Sequence, residues 1–206
     1  EWLRLQPVLR QIRDHRPGLC CSIDTFRSNI VERAYDEIGP FWVNDISAGL
    51  SDAEMLKTVA QLKLPYIAMH MRGTPQTMQS QTHYDDVVSE VVTELQQRLS
   101  AMEQAGIERS RVALDPGFGF AKTVEQNYEL LAGLHRLSRL GQPLLVGVSR
   151  KSMIYRVLDS TPEDSLAGTT ALHWEALRQG ATILRVHDAR EASDVVKLFR
   201  KYTSVL

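Results

Sequence analysis

Residues 111–120 read Arg-Val-Ala-Leu-Asp-Pro-Gly-Phe-Gly-Phe. An apolar run climbs to Leu114, then stops on Asp115, Pro116 and Gly117, three residues that favour turns. An amphipathic stretch, residues 125–140, follows. A short apolar run, a polar end, a turn and a helical pattern together make one βα unit.

The same phrase recurs in both directions along the chain. Short apolar runs occupy residues 19–24, 41–46, 66–71, 144–149 and 183–187. Helical patterns cover residues 29–38, 84–104, 165–179 and 192–202, and residues 3–13 predict a helix that enters the first strand. Gly39-Pro40, Ala105-Gly106, Gly141 and Gly180 stand where helices stop. The pattern is α(βα)₆, repeating every ~33 residues, near the roughly 30 per unit of a (β/α)₈ barrel. Alternating strands and helices imply a parallel sheet, closed or doubly wound. No glycine-rich turn follows the first strand, which favours the barrel.

Composition sets limits. The chain has 206 residues, 43% apolar and 24% charged, with a net charge of −1. That suits one domain over residues 1–206. It offers no overall field for nucleic acid or anionic lipid. No apolar run approaches the roughly 20 residues of a membrane span, and the start is not a signal peptide. Cys20 and Cys21 are neighbours in a strand-like run, so their side chains diverge and a mutual disulfide is excluded. Both are expected to be reduced core residues of a cytoplasmic protein.

Each apolar run ends on polar residues: Asp24, Asn44-Asp45, His70-Met71, Asp115, Ser149-Arg150-Lys151 and Arg185-Val186-His187. In a parallel α/β barrel those ends form the mouth of the active site. Alternation along a strand sorts them by face. Arg185 and His187 share one face, against Leu184 and Val186. Asp24 goes with Ser22, Asn44 with Trp42, and Asp115 with Ala113. If residues 144–151 stay extended, Lys151 goes with Gly147 and Ser149. Asp24, Asn44, Asp115, Lys151, Arg185 and His187 then converge on one cavity.

Plainer readings exist for each. Asp24 suits an N-cap of the next helix. Asn44-Asp45 and Asp115-Pro116-Gly117 suit turns, and most lysines are solvated. His15, His70, His83, His135 and His173 read as structural, with no spacing that suggests a metal cluster. The repetition of polar ends with matching parity is what favours a site. Asp24, Asn44 and Asp115 suit a flat ring rich in N–H groups. Met71 and Phe120 supply apolar walls. Lys151, Arg185 and His187 supply positive charge, and Ser152 opens a helix whose free N–H groups suit an anion. A flat heteroaromatic ring bearing a phosphorylated group is the ligand these residues suggest.

These segments resemble the dihydropteroate synthase family. They are Ser22-Ile23-Asp24-Thr25, Val43-Asn44-Asp45-Ile46-Ser47, Ala68-Met69-His70-Met71-Arg72-Gly73, residues 114–122, residues 147–152 and Arg185-Val186-His187-Asp188, in the family's order. The resemblance implies a (β/α)₈ barrel of which about six units, the third to the eighth, are present. It implies condensation of a 6-hydroxymethyl-7,8-dihydropterin diphosphate with p-aminobenzoate, releasing diphosphate, at a site that sulfonamides also occupy. By the same resemblance Asp24, Asn44 and Asp115 hold the pterin, with Met71 and Phe120 against it. Arg185 and His187 hold the diphosphate. Lys151 borders the p-aminobenzoate site, with Ser152 beside it, and Lys151, Asp115 and Asp24 are the catalytic set. Mg²⁺ and a homodimer through the last helices are further expectations.

The family's first two strands, one with an asparagine that contacts Mg²⁺, have no counterpart before Glu1. The chain therefore reads as N-terminally truncated, with no metal ligand of its own. Two rival readings remain at this stage. One is a pterin-dependent methyltransferase, which has no reason to keep Lys151, Ser152, Arg185 and His187 together. The other is a non-catalytic pterin-binding paralogue or fragment.

Overall fold

The computed structural model describes residues 1–74 and 76–205. In chain order the elements are α1 (Trp2–His15), β1 (Ser22–Asp24), α2 (Ser28–Ile38), β2 (Trp42–Asp45), α3 (Met55–Leu62), β3 (Tyr66–Met69), α4 (Val87–Gln104), β4 (Val112–Asp115), α5 (Val124–Ala132), α6 (Leu134–Ser138), β5 (Leu145–Val146), α7 (Ser152–Tyr155), α8 (Leu166–Arg178), β6 (Ile183–Leu184) and α9 (Ala189–Thr203). The chain divides into two compact units, residues 1–69 with 95–114, and residues 70–94 with 115–206.

In the first unit β1, β2, β3 and β4 lie side by side in that order. β1–β2 and β2–β3 are parallel, with Asp24 opposite Asn44. α1 packs on α2, and α2 on α3. Leu9, Val31, Val43, Val59, Leu64 and Tyr66 are among its buried residues. α3, which the reading by periodicity passed over, carries Met55, Thr58 and Val59 inward, the i, i+3, i+4 stripe of a short amphipathic helix.

In the second unit β5 and β6 are parallel, pairing Leu145 with Ile183 and Val146 with Leu184. α8 packs on α9, and α5 on α7. Thr123 starts α5 with a capping box: its hydroxyl accepts from the Gln126 N–H while the Gln126 side chain accepts from the Thr123 N–H. The single helix expected over residues 125–140 is two, broken at Gly133. A side chain there would lie 2.7 Å from Val88.

Two further expectations change, and one of the plainer readings is excluded. The strands are shorter than the apolar runs. β5 and β6 have two ladder pairs, because beyond them the Ser149 hydroxyl, not a backbone carbonyl, receives the His187 N–H at 3.2 Å. The cysteines are free thiols but not core: Cys20 is exposed and Cys21 half-buried, both ahead of β1. Asp24 does not cap α2. The cap is Arg27, whose N–H reaches Thr25 Oγ1.

Candidate functional site

Of the nine residues singled out from the sequence, Asp24 and Asn44 lie in the first unit. Met71, Asp115, Phe120, Lys151, Ser152, Arg185 and His187 lie in the second.

In the first unit the Asn44 amide nitrogen donates to Asp24 Oδ1 at 2.7 Å. A carboxylate only accepts, so the amide must present its nitrogen to Asp24 and its oxygen elsewhere. That oxygen is buried and has no partner. Such an acceptor costs about 1–3 kcal/mol unless something donates to it. A ring N–H is the kind of group that would. Asp45, one residue on and of opposite parity, is the contrast. Its Oδ1 accepts from the N–H and hydroxyl of Ser47, and its Oδ2 from the Gly49 N–H and the Tyr66 hydroxyl at 2.6 Å. Asp45 is wholly buried and fully engaged. Burial, with Asp45 beside it, drives the Tyr66 phenol well above its ordinary pKa.

In the second unit the loop after β4 is the organising element. Asp115 is buried, and its Oδ1 accepts the Gly117 N–H at 2.8 Å. Burial raises its pKa; Lys151, that N–H, Lys122 and Arg185 oppose the rise. Gly117 (φ +72°) comes so near the β3 end that an added Cβ would sit 1.9 Å from the His70 carbonyl oxygen. Only glycine fits there. Phe120 and Met71 are both half-buried.

Lys151 reaches this loop by a route the parity argument did not foresee. The chain does not stay extended to Lys151. It turns at Arg150 (φ +53°), and the Lys151 N–H bonds the Val148 carbonyl at 3.1 Å. The side chain nevertheless packs on Gly119, its Nζ donates to the Phe118 carbonyl, and it stands 4.9 Å from the Phe120 ring centre. Burial lowers its pKa, Asp115 raises it and Arg185 lowers it further. Ser152 begins α7, a single turn too short to make a strong dipole. A polar cleft of about 710 Å³ opens here, lined by Gly119, Thr123, Ser152, Tyr155 and Arg156 among others.

Arg185 and His187 both follow β6, which ends at Leu184. The Arg185 N–H bonds the Val146 carbonyl at 2.9 Å, which sets its side chain beside Gly147. His187 Nδ1 lies 2.9 Å from Ser149 Oγ. Both side chains are exposed. Arg150 stays out of the site: it grips Asp188 with two 2.8 Å bonds and the carbonyls of Pro162 and Glu163.

Sequence reasoning missed Lys122 and what surrounds it. Lys122 is 5% exposed, and its Nζ contacts His70 Nδ1, the Gly117 carbonyl and the Phe120 carbonyl at 3.0–3.1 Å. Burial brings it down to about 7. His70 Nε2 lies 3.0 Å from Glu94, which also receives Arg72. Burial resists ionisation of Glu94, but the bonds from His70 and Arg72 outweigh it and hold the carboxyl at about 2. The sequence signal at Lys122 was its place at the end of the family-like segment 114–122, which gave it no role. His173 is buried with neither ring nitrogen bonded. Among the described residues no three His, Cys, Asp or Glu side chains group as a metal site. Nor is any helix there long and apolar enough to cross a membrane.

The chain is similar to known proteins over nearly its whole length. The family described as "Pterin binding enzyme" matches residues 1–187. The dihydropteroate synthase of Haemophilus influenzae is 39% identical over 197 residues, which is 96% of this chain and 70% of that protein. The Xanthomonas albilineans dihydropteroate synthase solved with 4-aminobenzoic acid is 39% identical, with a TM-score of 0.90, over 100% of this chain and 72% of that one. The Yersinia pestis enzyme solved with a sulfonamide drug is 33% identical, with a TM-score of 0.92, over 98% and 73%.

Proposed function

Because the chain belongs to the pterin binding enzymes, and among them to the dihydropteroate synthases, we propose how its own residues divide that work. The reaction joins the amine of p-aminobenzoate to the exocyclic methylene of 6-hydroxymethyl-7,8-dihydropterin diphosphate. A C–N bond forms, the C–O bond breaks, and diphosphate leaves with the electron pair. The amine then sheds a proton. No side chain need act as a covalent nucleophile.

In this reading Asp24, Asn44 and Asp115 take the N–H edge of the pterin, and Met71 and Phe120 bound its faces. The carrying observation is Asp115: a buried carboxylate among Lys151, Lys122 and Arg185. A dry carboxylate is disfavoured by burial yet kept usable by cations, which suits a ring that gains positive character as the C–O bond lengthens. The partnerless Asn44 oxygen supports the same assignment from the other unit. Arg185 and His187 receive the diphosphate, whose departure needs charge stabilisation. Lys151, over Phe120, stands at the junction with p-aminobenzoate, and Ser152 borders it. Lys151, Asp115 and Asp24 form the catalytic set. A pterin-dependent methyltransferase would have no use for this group of cations.

Mg²⁺, expected from the resemblance, finds no set of ligating side chains among the described residues. We read residues 1–206 as one pterin-binding domain carrying the third to eighth units of a (β/α)₈ barrel. The family match running unbroken over residues 1–187 supports this. We also read the protein as a cytoplasmic homodimer. Trp174, stacked edge-on against Phe199 with Leu198 exposed beside it, supports a contact through α8 and α9.

Asp115→Asn tests the ring assignment. It should weaken pterin binding by about 2–4 kcal/mol, since a buried donor pair loses its charged partner. Unchanged pterin affinity by calorimetry would sink it.

A further inference from the structure

The loop from Pro116 to Lys122 carries Phe120 and follows directly on Asp115 at the end of β4, yet it belongs to no strand or helix. Something must hold its backbone. The Gly117 N–H is taken by Asp115 Oδ1 and the Gly119 N–H by Asn127 Oδ1, at 2.8 and 2.7 Å. The Phe118 carbonyl receives Lys151. The carbonyls of Gly117 and Phe120, which bracket the loop, both receive the Lys122 ammonium, at 3.1 and 3.0 Å.

An ammonium has three hydrogens. The third goes to His70 Nδ1 at 3.0 Å. In its charged form that leaves the Lys122 ammonium no hydrogen for a ligand, although the residue borders the cleft. It also fixes the imidazole: Nδ1 accepts, so the proton sits on Nε2 and is donated to Glu94 Oε2. Glu94 is anchored in turn by Arg72, which also bonds Glu90 and the His83 carbonyl. The loop is thus tied through one buried cation to a chain of fixed groups on the segment after β3 and on α4.

We propose that Lys122 is a positioning residue for pterin recognition, holding Asp115 and Phe120 in register by binding both ends of their loop to His70. The proposal rests on the assignment of Asp115 and Phe120 to the pterin. Asp115 and Glu94 face Lys122 and favour its charge; Lys151 and Arg72 also face it and oppose that charge. A neutral methionine of similar length would fill the space and release both carbonyls. Buried charge-assisted bonds are worth about 1.5–3 kcal/mol. At 1.4 kcal/mol per decade, that is roughly a 10- to 100-fold effect on affinity.

The test compares the active enzyme with Lys122→Met and His70→Leu, measuring Kd for the pterin diphosphate and KM for both substrates. The expected result is a pterin Kd raised about tenfold or more in Lys122→Met. His70→Leu, which removes one of three acceptors, should show a smaller rise in the same direction. KM for p-aminobenzoate should move less than about threefold in both. If Lys122→Met does not fold, His70→Leu carries the comparison. Pterin binding unchanged in the folded variants, or both KM values raised alike, overturns the clamp. A wild-type enzyme that fails to bind pterin diphosphate would instead overturn the reading on which it rests.

Discussion

Gly117→Ala is the smallest change that tests the loop after β4. The glycine has φ +72°, and an added Cβ would lie 1.9 Å from the His70 carbonyl oxygen. Ordinary contact begins near 3.4 Å, so the loop or the β3 end must move by about 1.5 Å. The obstacle is backbone and cannot rotate aside. The same two strands are joined by the His70 N–H to Asp115 carbonyl bond at 2.9 Å, which a shift of that size would break. Left-handed backbone costs a non-glycine residue about 1–2 kcal/mol, and the lost bond about 1 kcal/mol more. Displaced packing adds to both, so the variant should be less stable by about 3 kcal/mol or more. Urea denaturation at matched slope measures this directly. Pterin affinity should fall with it, because Asp115 is two residues away. A folded variant within about 1 kcal/mol of wild type would refute the reasoning. It would mean that the loop does not approach β3 as closely as described.

Three other outcomes are expected. Arg185→Ala should lose affinity for pterin diphosphate far more than for the free pterin alcohol; equal losses would make Arg185 structural. Lys151→Ala should lower turnover and p-aminobenzoate capture while melting within a few degrees of wild type, and a large stability loss would contradict its placement over Phe120. Lys122 should also leave a mark on stability against pH. Its folded value of about 7 lies below the ordinary 10.5, so between those values the unfolded chain holds more protons and stability rises with pH. Denaturation at pH 6.5 and 9.5 should therefore show wild type gaining on Lys122→Met by up to a few kcal/mol, whereas parallel curves would exclude a folded Lys122 that loses its proton more readily than the unfolded one.

How far the sequence could be read depended on the kind of signal. All six strands were legible because apolar runs with polar ends are local, and their order carries topology. Parity worked where the backbone stayed in a strand: it separated Asn44 from Asp45. It failed as an argument for Lys151, where a positive-φ residue reverses the chain first. Lys151 arrives beside Phe120 by a turn, not by alternation. Lys122 was illegible for a different reason. A lysine is read as solvated, and nothing local says that two carbonyls and an imidazole will enclose it. The cysteines erred the other way: a small apolar-looking pair ahead of a strand was assigned to the core, whereas the first buried side chain of that run is Ile23.

Asn44 and Asp45 stand side by side, and to a substitution matrix they are near synonyms. Their surroundings make them answer to different pressures. Every oxygen of Asp45 is spoken for, so changes there would be filtered by whether the chain folds at all. Asn44 keeps one oxygen without a partner, so changes there would be filtered by what the protein binds. A saturation library across β2, scored separately for abundance and for turnover, should thus show the two scores parting company between neighbouring codons. Variants altered in ligand preference but normal in yield should come from position 44.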